Sequence, residues 1–235
     1  MKTKLKEIAK KWDYKSNYLI DILTREEKKE LFLNSMTETY KKGELIIRSN
    51  HVPEYVYFIK KGSVKRFTRD KNNKEYIVQI LRSNLIFGYH SILAESRYNT
   101  FTEALEDSEI TLIPKKHFID FIYENQKFQH LLLKVLSYEF SIMINYITNY
   151  INKPVLNRVI TQLLNEANYL INFKLINEQD LTFKIRRNDI AALVGASREN
   201  IILALNKLKK MDLIDSNGSF IKIKNLQSLI ELNES

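Results

Sequence analysis

The chain contains no cysteine in 235 residues. That removes disulfides, thiol nucleophiles, cysteine redox sensors, Cys-type zinc sites and cysteine-ligated iron–sulfur clusters in one step. Glycine and proline are scarce as well, with five and three copies, so the position of each is diagnostic of a turn or a break. Long apolar runs are missing, and the N-terminal MKTKLKEIAKKW is basic and helix-like without an apolar stretch of signal-peptide length. A cytoplasmic protein with no membrane partner is the expectation. There is no low-complexity tract, repeat or disordered linker. His51, His90, His117 and His130 have no metal-ligand spacing among themselves, so no metal is expected. No P-loop, dinucleotide glycine motif or HExxH occurs, and nothing else calls for catalysis.

What is present points to a polyanion. Lys and Arg number 37 against 28 Asp and Glu, a formal charge of +9, which favours a partner such as nucleic acid. The length allows a sizeable core and fits two domains better than one.

The most informative stretch is RRNDIAALVGASRENIILALNKLKKMDLIDSNGSFIKIK, residues 186–224. It reads as two short helices around a tight glycine turn, followed by a hairpin: a winged helix-turn-helix. The first helix spans about Asn188 to Val194 with Ile190, Leu193 and Val194 inward, and Gly195 reverses the chain with positive φ. Ser197 is placed to cap the second helix. There Ile201, Ala204, Leu205 and Leu208 share one side, leaving Arg198, Glu199, Asn200, Ile202, Leu203, Asn206 and Lys207 outward or sideways. Asn217-Gly218 is a two-residue hairpin signal with Lys209, Lys210, Lys222 and Lys224 around it. Residues 184–210 hold seven basic side chains against two acids, enough for a phosphate-binding surface.

Upstream the pattern changes twice. A helix begins near Thr24, where Thr24 and Glu27 match a capping box. From Lys42 to Ile113 the periodicity is two, through Leu45 and Ile47, Val56 and Phe58, and Tyr76, Val78 and Ile80, with Gly43, Gly62, Asn72-Asn73 and Gly88 at turns. A compact antiparallel β-domain is expected there. Helical periodicity returns after Pro114 and persists from His117 to about Asn152. This helix is apolar nearly all round, so it needs burial on two sides, and a second copy of the chain is the simplest cover. Leu132, Leu136, Met143, Tyr146 and Tyr150 are the candidate dimer contacts. Pro154 ends it. The chain is thus expected to be α+β, with an N-terminal helix and β-roll over 1–115, a dimerisation helix over 116–153 and a winged helix-turn-helix over 154–235.

This order resembles the Crp/Fnr family of bacterial transcription regulators over essentially the whole chain from about Leu23. KKGELIIRSNHVPEYVYFIKKGSVK resembles the first strands of the cyclic-nucleotide-binding β-roll, a jelly-roll-like double-stranded β-helix. EALEDSEITLIPKKHFIDFI resembles its last strands and following helix. NRVITQLL resembles the start of the DNA-binding domain, and VGASRENIILALNKLKKMDLID its turn, recognition helix and next strand. The resemblance implies a homodimer on palindromic promoter DNA, acting on RNA polymerase and switched by a signal at the roll. An alternative is a non-DNA regulatory module that uses the roll for ligand or protein docking.

Carried over residue by residue, Arg198 matches the family's guanine-reading Arg and Glu199 its partner, suited to a cytosine amine. Asn200 stands where many members have Thr. Leu203 occupies the position of a second base-reading Arg in the cyclic-AMP-sensing branch, and Ile202 replaces a small residue beside it, so a different half-site is implied. Arg186, Arg187, Lys207 and Lys209 are phosphate candidates, with Ser197 at the helix start. In the pocket segment FGYHSILAESRYNTFTEAL, Gly88 is kept, Tyr89 replaces the ribose-binding Glu, and Tyr98 takes the phosphate-binding Arg position with Arg97 one residue off. Met143 and Ile144 replace a Thr-Ser pair that meets adenine. The pocket candidates are therefore Gly88, Tyr89, His90, Arg97, Tyr98, Asn99 and Met143, in a degenerate site not expected to take cyclic AMP. Another small effector stays open, and no cofactor is implied.

Overall fold

A computed structural model of the chain describes residue 5, residues 18–172 and residues 180–234. The chain divides into two compact units, Tyr14–Phe140 and a second carried by Ser141–Ser235, and the division falls inside the long helix. The basic segment over residues 1–12 lies, apart from Leu5, outside the described residues.

The first unit opens with helices Tyr18–Asp21 and Arg25–Leu31. The second is started by the capping box: the Thr24 hydroxyl accepts from the Glu27 amide at 3.2 Å, and the Glu27 carboxylate accepts from the Thr24 amide at 2.7 Å. Strands β1 Met36–Tyr40, β2 Leu45–Ile47, β3 Tyr55–Lys61, β4 Ser63–Arg69, β5 Glu75–Arg82, β6 Ile86–Phe87, β7 Phe101–Ala104 and β8 Ser108–Pro114 follow, with a short helix Tyr89–Leu93 after β6. They form two four-stranded antiparallel sheets, ordered β1-β8-β3-β6 and β2-β7-β4-β5. Ile59, Ile110 and Leu112 from one sheet meet Ile47, Val64 and Leu81 from the other in one core, which also holds the stacked pair Tyr57–Phe87. This is the β-roll. A second core joins Val56, Ile86 and Ile113 to Phe118, Phe121, Phe128, Leu132 and Val135 of the helices that follow.

Three features differ from the pattern reading. Strand β1, sequence MTETY, is exposed almost throughout, so it carries no apolar alternation to reveal it. In β5 the buried residues are Ile77, Gln79 and Leu81, the set opposite to Tyr76, Val78 and Ile80. A period-two pattern with β-branched or aromatic residues on both faces does not say which face is inside, and a one-residue shift exchanges them. The expected single helix from His117 is two, Lys115–Glu124 and Gln126–Asn152. Asn125 leaves helical geometry at φ −115°, ψ 90°, and its Oδ1 accepts from the Phe128 amide at 2.9 Å as the cap of the next helix.

The second unit continues past Pro154, where the helix stops as expected, into Val155–Asn172. Strand β9 Leu181–Lys184, helices Arg187–Val194 and Arg198–Lys210, strands β10 Ile214–Asn217 and β11 Phe220–Ile223, and helix Leu226–Glu234 complete it. The three strands form one antiparallel sheet in the order β10-β11-β9.

Candidate nucleic-acid interface and sensor pocket

The helix-turn-helix forms where its local signals place it. Ile190, Leu193 and Val194 of the first helix and Ile201, Ala204, Leu205 and Leu208 of the second are all buried. Gly195 takes φ +61°, and its amide donates to the Ala191 carbonyl. Gly195 is also a point of close approach. A Cβ there would lie 2.5 Å from the Tyr150 ring. The Tyr150 hydroxyl donates to the Leu193 carbonyl, and the Arg158 guanidinium, seated over the Tyr150 ring, donates to the Val194 carbonyl. Burial pushes the Tyr150 phenol up to about 12, with Arg158 opposing, so it stays a donor. Two orphan carbonyls at the end of the first helix are thereby satisfied from outside it.

The second helix presents a polar start. The Ser197 hydroxyl accepts from the Asn200 amide at 3.2 Å, and the whole first turn, Arg198, Glu199 and Asn200, is exposed. Hydrogen bonds from its own amide and from Ser197 hold the Glu199 carboxyl below the usual carboxylate range, keeping it an acceptor. Ile202 is 37% and Leu203 67% exposed, and Lys207 is exposed. The cation set is divided. Arg186 forms a bidentate pair with Asp189 at 2.7 and 2.9 Å, and Lys209 pairs with Asp215 at 3.0 Å. Arg187 is half-buried with Nη1 unpartnered; burial, and then the neighbouring Arg198 charge, lower its pKa. The mutual repulsion of these two guanidiniums is relieved by an incoming anion.

The wing differs in detail from its sequence signal. Asn217 pairs with Phe220, so the two loop residues are Gly218-Ser219 instead of Asn217-Gly218. Among positive φ values only Gly218, at +53°, belongs to this loop, and a loop with glycine at its first position suits the twist of a hairpin. Strand β9 was legible in LTFKI, whose Leu181 and Phe183 are buried in alternation, but it lay outside the motif that drew notice.

In the roll, Gly88 caps the short helix at φ +88°. Tyr89 points fully inward, and its hydroxyl donates to Glu139 Oε1 at 2.8 Å. His90 Nε2 lies 2.6 Å from Glu139 Oε2, and the Tyr89 and His90 rings stack at 4.3 Å. Burial, and then the Glu139 charge, hold the Tyr89 phenol well above its ordinary value, so it stays protonated. Glu139 itself was missed; a lone acid among apolar residues 135–144 of a predicted helix was the available signal. Tyr98 is 7% exposed, donates to the Tyr55 carbonyl at 3.0 Å and joins the interior core. Arg97 and Asn99 are exposed, and Arg97 donates to the Asn50 carbonyl at 2.8 Å. The strand-like alternation thus puts a tyrosine, not a guanidinium, inside the roll at this point.

The long helix has two kinds of apolar residue. Leu132 is 3% exposed, and Leu136 packs on the same core, so both serve the roll. Tyr150 serves the helix-turn-helix. Left outward are Leu133, Phe140, Met143, Ile144, Ile147 and Ile151, at 40–75% exposure. Leu133, Phe140 and Ile147 recur every seven residues, and Ser137, Ile144 and Ile151 interleave with them at the same spacing. That is the 3.5-residue repeat of a coiled-coil seam.

Comparison with known proteins agrees with both halves. Residues 37–125 match the family model of the cyclic nucleotide-binding domain, and residues 157–232 match that of the Crp-like helix-turn-helix domain. The cAMP-activated global transcriptional regulator CRP of Pasteurella multocida is 26% identical over 185 residues, covering 78% of this chain and 88% of that protein. The anaerobic regulatory protein of Haemophilus influenzae is 21% identical over 191 residues, covering 81% and 74%. In structure, a regulator assigned to the crp/fnr family from Eubacterium rectale superposes with a TM-score of 0.73 at 21% identity, covering 92% of this chain and 98% of that one. The two curated relatives are named for different signals, so likeness fixes the architecture and leaves the effector to the residues in the pocket. With a nucleotide-binding-type roll, a long helix and a Crp-like helix-turn-helix in this order, the chain belongs to the Crp/Fnr family of transcription regulators.

Proposed function

We propose that the protein is a homodimeric, sequence-specific DNA-binding transcription regulator whose roll has lost the means to hold cyclic AMP. The observation that carries this reading is the outward seven-residue repeat on the 126–152 helix. Left in water, such a stripe is a liability; against a second copy it becomes a seam. The helix is long and apolar enough by composition to cross a bilayer. Glu139 and Asn149 along its length, and the commitment of Leu132 and Val135 to the roll core, argue for protein on both sides instead. In this reading the roll senses, the helix pairs and the C-terminal unit reads DNA, in the cytoplasm and in contact with RNA polymerase.

Arg198, Glu199 and Asn200 read base edges; Ile202 and Leu203 are placed for thymine methyls; Arg187 and Lys207 meet phosphates, joined by Arg186 and Lys209 once their acids release them. Tyr89, Tyr98, Met143 and Ile144 replace the polar groups that a buried cyclic phosphate, ribose and adenine need, and such burial without partners is costly.

The test is a pair of measurements on the full chain. Sedimentation should give a dimer, and Phe140→Glu combined with Ile147→Glu should give a monomer. Retardation of a selected palindrome at moderate salt should be strong for the wild type and lost for the double variant. A wild-type monomer, or binding with no preference among duplexes, rejects the reading and favours a docking module.

A further inference from the structure

The roll carries a half-buried cation, Arg66, whose Nε is buried without a hydrogen-bond partner among the described residues. Val64 of β4 lies in the core between the sheets, and Arg66, two residues on, projects from the same side. Its cross-strand neighbours are Gln79 on β5 and Thr102 on β7, 3% and 0% exposed, so three polar side chains form a row across the sheet. Arg66 Nε and Thr102 Oγ1 are both buried without a hydrogen-bond partner. Arg66 is near enough to Tyr89 for its charge to act on the phenol. The nearby carboxylate, Glu139, is already engaged by Tyr89 and His90.

A water molecule would answer the hydrogen bonds of Arg66 Nε and Thr102 Oγ1 but would not balance the charge of the half-buried guanidinium. What complements this row is a ligand with a negative charge and at least two oxygens, one fork of the guanidinium to each, with a further acceptor for the Thr102 hydroxyl. We infer that the roll binds a small oxyanion, a carboxylate or phosphate group, on Arg66, Thr102 and Gln79. This rests on the reading above that the roll is a sensor that no longer takes cyclic AMP. It relocates the anion anchor from position 98, where the resemblance looked for it, to the floor strand. Through Tyr89 the site touches Glu139, hence the long helix, so occupancy has a route to the seam.

The experiment is thermal unfolding of the full chain at neutral pH in sodium chloride, sodium phosphate and sodium acetate at matched ionic strength, with cyclic AMP in chloride as a fourth arm. A ligand of the native state must raise Tm, and above its Kd the rise goes on with the logarithm of its concentration. Phosphate or acetate should raise it by on the order of 3 °C over chloride at a few times its Kd, and the one that does so at lower concentration names the group. Arg66→Met should abolish the rise while melting in chloride at or above the wild-type temperature, because it removes a half-buried charge whose Nε has no partner. Thr102→Val should weaken the apparent affinity about tenfold. The proposal fails if neither anion acts on the wild type, if Arg66→Met or Thr102→Val responds like the wild type, or if Arg66→Met is less stable in chloride or does not fold, since Arg66 would then be a structural cation. A rise with cyclic AMP refutes instead the reading on which it rests.

Discussion

The helix-turn-helix, proposed as the reading head, and the roll, proposed as the sensor, are built on opposite plans. In the helix-turn-helix the stripe Ile201, Ala204, Leu205 and Leu208 is buried and the first turn of the second helix faces water, each placed by signals within a few residues: Gly195 for the turn, Ser197 for the cap, a 3.6-residue stripe for the core. In the roll a few polar groups lie inside. Tyr89 meets Glu139 fifty residues away, and Arg66, Gln79 and Thr102 are brought together only by strand pairing. A surface of exposed side chains on one helix can be specified locally, whereas a buried polar row is specified by contacts distant in sequence.

The largest effect that would sharpen this contrast is at Gly195. A side chain there meets both a left-handed φ, worth about 1 kcal/mol, and the Tyr150 ring at 2.5 Å, which overpacks by about 1 to 3 kcal/mol. Gly195→Ala should therefore lower stability by about 3 kcal/mol in denaturant unfolding, whereas Gly218→Ala, with nothing within 4 Å of the added Cβ, should cost only about 1 kcal/mol. In a Tyr150→Ala background, itself destabilised by loss of the brace, Gly195→Ala should cost only the conformational part, about 1 kcal/mol. Equal losses at the two glycines would mean that the turn is not braced by Tyr150.

The same contrast explains what the sequence disclosed. The helix-turn-helix was legible to within a residue or two because its caps and stripe are local, and the roll was legible as a class because turns at Gly43, Gly62 and Gly88 all take positive φ. The exposed strand β1 was not, for want of any apolar pattern, and the face of β5 was ambiguous because both faces are apolar. Asn125 could have been read as a cap but was hidden inside a long helical periodicity. The outward stripe on the long helix shows in the sequence only as an excess of apolar residues. Which of them are free to pair depended on knowing that Leu132 goes to the roll and Tyr150 to the turn.

Next in size is the polar link in the roll. Glu139→Leu strips Tyr89 and His90 of their acceptor, leaving a fully buried hydroxyl unpaired at about 2 kcal/mol. Adding Tyr89→Phe should restore about half of that, since removing both partners is cheaper than removing one. A double variant no more stable than Glu139→Leu alone would show that the pair is not coupled, and that the roll's buried polarity is as independent, residue by residue, as the reading head's surface.

On the reading head the expected effects are on DNA and not on folding. Arg198→Ala removes an exposed side chain, so Tm should hold, while affinity for the selected palindrome drops by about 1 to 3 kcal/mol per half-site and preference relaxes at one base pair. Lys207→Ala should weaken all duplexes alike and reduce the salt slope by about 0.9 per half-site. If Arg198→Ala lowers every sequence equally, it is a phosphate contact and the base-reading role passes to its neighbours.

The smallest effect tests the divided cations. Lys209 is held by Asp215 at 3.0 Å, both at the surface, and the hydrogen bond from Lys209, then the Ser216 amide, keep the Asp215 carboxyl below its usual range. The acid therefore stays charged down through mildly acidic pH and competes with a phosphate for the same ammonium. Asp215→Asn ends that competition and should strengthen non-specific DNA binding by no more than about threefold, with the salt slope steeper by about 0.9 per subunit. Because Asp215 is depressed and not raised, acidification of the wild type should reproduce the effect only below the ordinary carboxylate range. An unchanged slope would leave Lys209 as a wing brace, and would confine the reading surface to the cations that the fold leaves unpaired.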